Sequence, residues 1–181
     1  MSESSFRQPS AQHDESGNLR TVGFEIEFTR VSLADAIAAV EREYSSARKN
    51  ATAAACDLEI DGLGTFGIEL DWEFLKQQAE ATGGDLPEDW VGLLSQAAEL
   101  VVPVEVVCPP IPLNRLDELL PLTRALREAG AEGTASSLIA AYGVHINPRS
   151  PALDSATLWH YLRAFSLLQW WLVKAHEVDL T

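Results

Sequence analysis

Hydrophobic and polar positions alternate strictly in RTVGFEIEF, Arg20 to Phe28, and predict a strand over 21–29. Phe24, Ile26 and Phe28 share one face, and Glu25 and Glu27 share the other. The same alternation recurs in three later segments. In GIELDW, Ile68 and Leu70 oppose Glu69 and Asp71; in VPVEVV, Val104 and Val106 oppose Glu105; in YGVHINP, Val144 and Ile146 oppose His145 and Asn147. Ala54 to Ile60 reads as a short strand, and Asp61-Gly62-Leu63-Gly64 as a turn returning to a strand over 65–72, a hairpin. A β-branched strand is predicted over Val101 to Cys108, followed by an extended exit through Pro109 to Pro112. A further strand spans Ser137 to Ile146 and is ended by Asn147-Pro148.

Helical spacing marks four other segments. Ser32-Leu-Ala-Asp35 opens a helix through Tyr44 with Leu33, Ile37 and Val40 on its buried face. Leu86-Pro87-Glu88-Asp89 starts one reaching about Leu100, and a third runs from about Leu116 to Ala129, where Gly130 stops it. Asp154 caps a last helix reaching at least His176. Trp159, Tyr161, Phe165, Leu168, Trp170 and Trp171 crowd nearly all its faces, which predicts burial on both sides. Helices and strands mix without regular βαβ spacing, so the expected class is α+β with a mainly antiparallel sheet packed by helices.

Composition changes this picture in three ways. The 181 residues suffice for one domain with its own core, and residues 1–19, rich in Ser, Gln, Asp and Glu, read as a disordered polar tail. Thirteen basic against 27 acidic residues, a formal charge of -14, supply no cationic stripe for nucleic acid. Two cysteines without a CxxC, no targeting peptide and no apolar run long enough to span a bilayer set the expectation of a cytoplasmic protein that contacts no membrane. Cys108 reads as an inert buried thiol, with no basic neighbour to activate it.

The alternation also concentrates charge. If the four strands share one sheet, one face gathers Glu25, Glu27, Glu69, Asp71, Glu105 and His145. Outward glutamates are ordinary on a solvated sheet face. The sparsity of Lys, Thr and Ser there, and the like-charged neighbours within FEIEF, favour a site. Hard carboxylate oxygens with one imidazole suit Mg²⁺ or Mn²⁺ rather than structural zinc.

GFEIEF, GIELDW, VEVVCPPIP and GVHINP, in that order, resemble the amidoligase family, which is similar to glutamine synthetase and the glutamate–cysteine ligases. The likeness runs from about Arg20 to Thr181 and includes the helix LRAFSLLQWWLVKAHEVDL. It implies an amidoligase-like domain over 20–181 with a glutamine synthetase-like sheet whose concave face is acidic. Because members of that family continue past the point equivalent to Thr181, the domain is expected to be truncated at its C-terminus. The implied activity joins a small-molecule or peptide carboxylate to an amine or ammonia, with ATP and Mg²⁺ or Mn²⁺. By the same resemblance, Glu25, Glu27, Glu69 and Glu105 are metal ligands, and His145 and Asn147 contact the nucleotide. Asp71 and His145 then take the catalytic roles. The competing expectation is a non-catalytic domain acting as an assembly or regulatory partner. The aromatic last helix adds the expectation of a homo-oligomer.

Overall fold

The computed structural model describes residues 6–71, 103–132 and 143–176. They form an α+β arrangement around one antiparallel sheet of six strands in the order β2-β3-β4-β5-β1-β6. The strands are β1 (Thr21–Phe28), β2 (Ser46–Ala51), β3 (Ala55–Ile60), β4 (Gly64–Leu70), β5 (Val104–Pro112) and β6 (Val144–Pro148). The helices are α1 (Leu33–Glu43), α2 (Leu120–Glu128) and α3 (Ser155–Ala175), with a 3-10 segment over Leu113–Leu119 leading into α2. The helix expected over 86–100 and the first part of the strand expected over 137–146 lie outside the described residues.

The core follows from the alternation. Val22, Phe24, Phe28, Leu58, Phe66, Ile68, Val104, Val106 and Cys108 send their side chains to one side of the sheet and are buried there with Ile37 and Val40 of α1 and Leu122 and Leu126 of α2. Burial pushes the Cys108 thiol up to about 12, which leaves it inert as expected. Ser32 caps α1, its hydroxyl accepting from the Asp35 amide at 3.1 Å. Asp154 caps α3 in the same way through the Thr157 amide at 2.8 Å. Gly62 makes the β3–β4 turn with φ +74°, a left-handed conformation that costs glycine little.

Tyr44 ties the two core helices together. Its ring stacks on Phe66, its hydroxyl donates to the Glu118 carbonyl at 2.8 Å, and it accepts from the Leu122 amide at 3.0 Å. Leu122 lies in the first turn of α2, where an amide has no partner within its own helix. Tyr44→Phe keeps the ring and orphans both backbone groups. It is expected to cost about 1–2 kcal/mol of stability in denaturant titrations. An unchanged unfolding midpoint would mean that water replaces the hydroxyl.

Four local expectations need correction. The Pro109–Pro112 exit is part of β5: the strand continues through it because the β1–β5 register shifts between Val22 and Phe24, which absorbs the prolines as a bulge. β6 likewise includes Asn147 and Pro148. Residues 6–19 are held along the domain rather than loose. Phe6 packs edge-on against Phe24, Gln8 donates to the Leu113 carbonyl at 2.8 Å, and the Glu15 amide reaches Pro151 at 3.1 Å. The expectation of a last helix buried on both sides is not met among the described residues. Trp159 is 62% exposed, Trp171 63%, and Val144 and Ile146 on the core side of β6 are exposed as well. Among the described residues, no helix is long and apolar enough to cross a membrane.

Candidate functional site

Strand order and register decide which of the polar side chains meet. β1 lies between β5 and β6, and β5 lies between β4 and β1. Glu69 on β4 pairs with Glu105 on β5, and Glu105 pairs with Glu27 on β1. Three carboxylates therefore stand abreast on three adjacent strands, at the roughly 4.8 Å strand spacing. One row along, Glu25 pairs with His145 on β6, and Gly23 pairs with Asn147. Asp71 follows β4 immediately, its amide donating to the Pro103 carbonyl at 2.9 Å.

Each of these residues alternates with a core residue, so the packing of Phe24, Phe28, Ile68 and Val106 fixes which way the acids turn. Like charges abreast are unfavourable, and they raise the carboxyl pKa values in the group. Burial, then Glu27, Glu25, Asp71 and Glu69, push the Glu105 carboxyl up to about 7. Burial also raises Glu27, against the opposing pull of His145 and with Asp71 and Glu25 adding to the rise.

Glu25 is held differently. His145 Nδ1 lies 2.9 Å from its Oε2, and Asn147 Nδ2 donates to its Oε1 at 3.1 Å. That hydrogen bond holds the imidazole above its ordinary pKa, reinforced by the charges of Glu27, Glu25 and Glu105. These contacts favour the protonated form of His145, the form that would bring a positive charge beside the carboxylates.

All seven residues singled out in the sequence fall within this neighbourhood. Glu69, Glu105 and Glu27 form one row, Glu25, His145 and Asn147 form a second cluster, and Asp71 joins the row from the end of β4. What the structure does not supply is a finished coordination sphere. Among the described residues, no three His, Cys, Asp or Glu side chains are gathered closely enough to hold an ion as they stand.

Beside the second cluster, a cleft of about 900 Å³ opens between the ends of β1 and β6. Thr21, Gly23, Glu25, Pro110, Asn147 and Arg149 line it. A Cβ at Gly23 would stand 3.7 Å from that of Asn147, an ordinary van der Waals contact. Alternation alone did not mark this cleft. The signal was the arginine that directly follows HINP, next to a glycine-bearing strand.

The family model described as "Putative amidoligase enzyme" matches residues 18–181. The chain belongs to that amidoligase family. The match covers all of the strands and helices described above, the carboxylate row among them, and supports a ligase at a coarse level. No curated protein and no solved structure matches this amidoligase-family chain.

Proposed function

We propose that the chain is an ATP-dependent carboxylate–amine ligase whose sheet carboxylates hold Mg²⁺ or Mn²⁺. The observation that carries this reading is the in-register row Glu69–Glu105–Glu27, with a Glu105 carboxyl pushed up to about 7 by burial and then by its acidic neighbours. Carboxylates set abreast are costly in a free protein and become favourable when a divalent cation neutralises them. The donor set is of the right kind, being hard oxygens with one imidazole at its border. Glu25, Glu27, Glu69 and Glu105 would hold the metal, which when bound screens the phosphate oxygens during phosphoryl transfer.

The chain's own residues then divide the remaining work. Glu25 orients the His145 ring, and the raised imidazole offers a proton donor to a phosphate oxygen. Asn147 fixes the second oxygen of Glu25 and lies at the border of the cleft, where a nucleotide contact is open to it. Asp71, at the far end of the row, would orient the amine or accept its proton. In the overall reaction a carboxylate oxygen takes the γ-phosphoryl group and ADP departs. The amine nitrogen then attacks the acyl carbon, losing a proton, and phosphate leaves.

The exposed aromatic side chains of α3 support a second reading, a non-catalytic domain that assembles with another copy of itself. One experiment separates the two. With ATP, Mg²⁺ and a panel of amino acids, peptides and amines, ADP is expected to form above the ATP-alone rate only when a carboxylate and an amine are both present. A flat rate across the panel, with metal binding intact, would favour the assembly reading.

A further inference from the structure

The cleft between β1 and β6 carries a chemistry different from that of the row. Among the described residues that line it, Arg149 is the only cation. In a chain of formal charge -14, an anion entering this cleft depends on that one guanidinium.

The backbone of Arg149 is fixed from both sides. Its amide donates to the Thr21 carbonyl at 2.9 Å, and its carbonyl accepts from Arg20 Nε at 2.6 Å. Arg20 is 4% exposed, and its Nη1 donates to the Ala11 carbonyl at 2.6 Å. A buried cation thus anchors both Arg149 and the 6–19 segment, leaving the Arg149 side chain as the movable part.

At present that side chain faces an internal carboxylate. Arg149 Nη2 lies 3.0 Å from Asp14 Oδ2, and the Asp14 side chain is 7% exposed. The other oxygen, Oδ1, accepts from the Ser16 and Asn18 amides at 2.9 Å each. Oδ2 is buried and has no hydrogen-bond partner, so the pair has charge contact without directed bonding. A guanidinium has five N–H donors and favours two-pronged binding to an oxyanion. The contact with Asp14 satisfies little of that capacity. Asp14 itself indicates the kind of group the guanidinium accepts.

We propose that Arg149 is the anion-binding residue of this cleft, receiving a carboxylate or phosphate oxyanion of a small ligand, and that Asp14 is its built-in competitor. Entry of the ligand draws Arg149 from Asp14 and loosens the 6–19 segment that Asp14 helps to hold. The assignment requires neither metal nor nucleotide at the carboxylate row, so it stands or falls separately from the ligase reading.

The test uses the full chain without metal, titrated with inorganic phosphate and with glutarate. At least one probe is expected to bind, and the preferred one tells a phosphate-bearing ligand from a carboxylate-bearing one. Arg149→Gln is expected to weaken binding about 10-fold or more, and Arg149→Lys, which keeps charge but loses the fork, by less. Asp14→Asn keeps the acceptor for Ser16 and Asn18 and is expected to tighten binding by roughly 3–10-fold. Glu15→Gln removes the same charge next door and is expected to leave affinity unchanged. Saturating probe is expected to speed hydrogen exchange at the Glu15 amide, which bonds Pro151. Equal affinities for wild type and Arg149→Gln, or no binding of either probe to wild type and Asp14→Asn, would overturn the assignment. So would an Asp14→Asn affinity no tighter than that of Glu15→Gln.

Discussion

Glu105→Gln is expected to stabilise the metal-free protein at pH 8 by about 1–2 kcal/mol while removing most of its response to Mg²⁺ or Mn²⁺. The sign follows from the direction of the shift. In the unfolded chain Glu105 loses its proton near the ordinary 4.5, but in the fold it holds it up to about 7. Between those values the folded state binds the extra proton, so this group makes stability fall as pH rises. Below the window both states are protonated and the group is neutral in effect; above it the full penalty of the ionised row is present. The magnitude stays modest because the carboxyl is only half-buried and solvent screens part of the repulsion. Gln cannot ionise, so the variant loses this slope. Denaturant titrations at pH 4, 5.5 and 8 measure it, and parallel pH profiles for variant and wild type would remove the crowded row as the cause. Metal should act in the same sense, stabilising wild type more at pH 8 than at 5.5.

The second large effect concerns Glu27 and His145 together. Glu27→Gln deletes an anionic oxygen while keeping the shape, and His145→Ala frees Glu25 from its partner at 2.9 Å. Each is expected to lower metal affinity about 10–100-fold. In wild type, metal at a hundred times its dissociation constant is worth about 2.7 kcal/mol of stability, and about half of that gain or more should vanish in either variant. If both residues serve one site, as the proposed function requires, the double variant should lose less than the sum. Thermal melts of the four proteins with and without metal give the answer. Equal metal responses in all four would return the glutamates to an ordinary solvated strand.

Much of this arrangement was legible in the sequence because period-two alternation reports directly on which face is buried. FEIEF, GIEL and VEVV each separate a core set from an acidic set, and the sheet respects all three. What alternation cannot supply is strand order. That Glu105 stands between Glu69 and Glu27 depends on β5 pairing with both β4 and β1, a non-local choice made by packing and bulge placement. SARKNA, the β2 strand, shows no alternation of large apolar and polar side chains that would mark it as a strand. It forms a strand by pairing with β3, helped by the Arg48–Glu41 and Lys49–Glu59 ion pairs. The 6–19 segment misled for a related reason. Its polar composition suits a free tail, yet the buried Arg20, the ring of Phe6, and the Gln8, Asp14 and Glu15 contacts tie it to the domain. The last helix misled in the opposite sense, since apolar spacing states that a surface seeks cover and not what provides it.

The strand order also bears on how the molecule folds. β2, β3 and β4 are consecutive in both sequence and sheet, so their pairing needs only short loops to close. β1 has no such neighbour; the bond joining Glu25 to His145 spans 120 residues. Closing loops of that length costs chain entropy before any contact repays it, which slows folding of such topologies. The β2–β4 meander is therefore expected to form early and the strand bearing Glu25 and Glu27 to dock late, an order that φ-values on β1 and β3 would check. A late strand that brings like charges together pushes against its own docking. If the carboxylate row takes a divalent cation as proposed, that cation present during refolding is expected to speed this step, which refolding rates with and without Mg²⁺ would check.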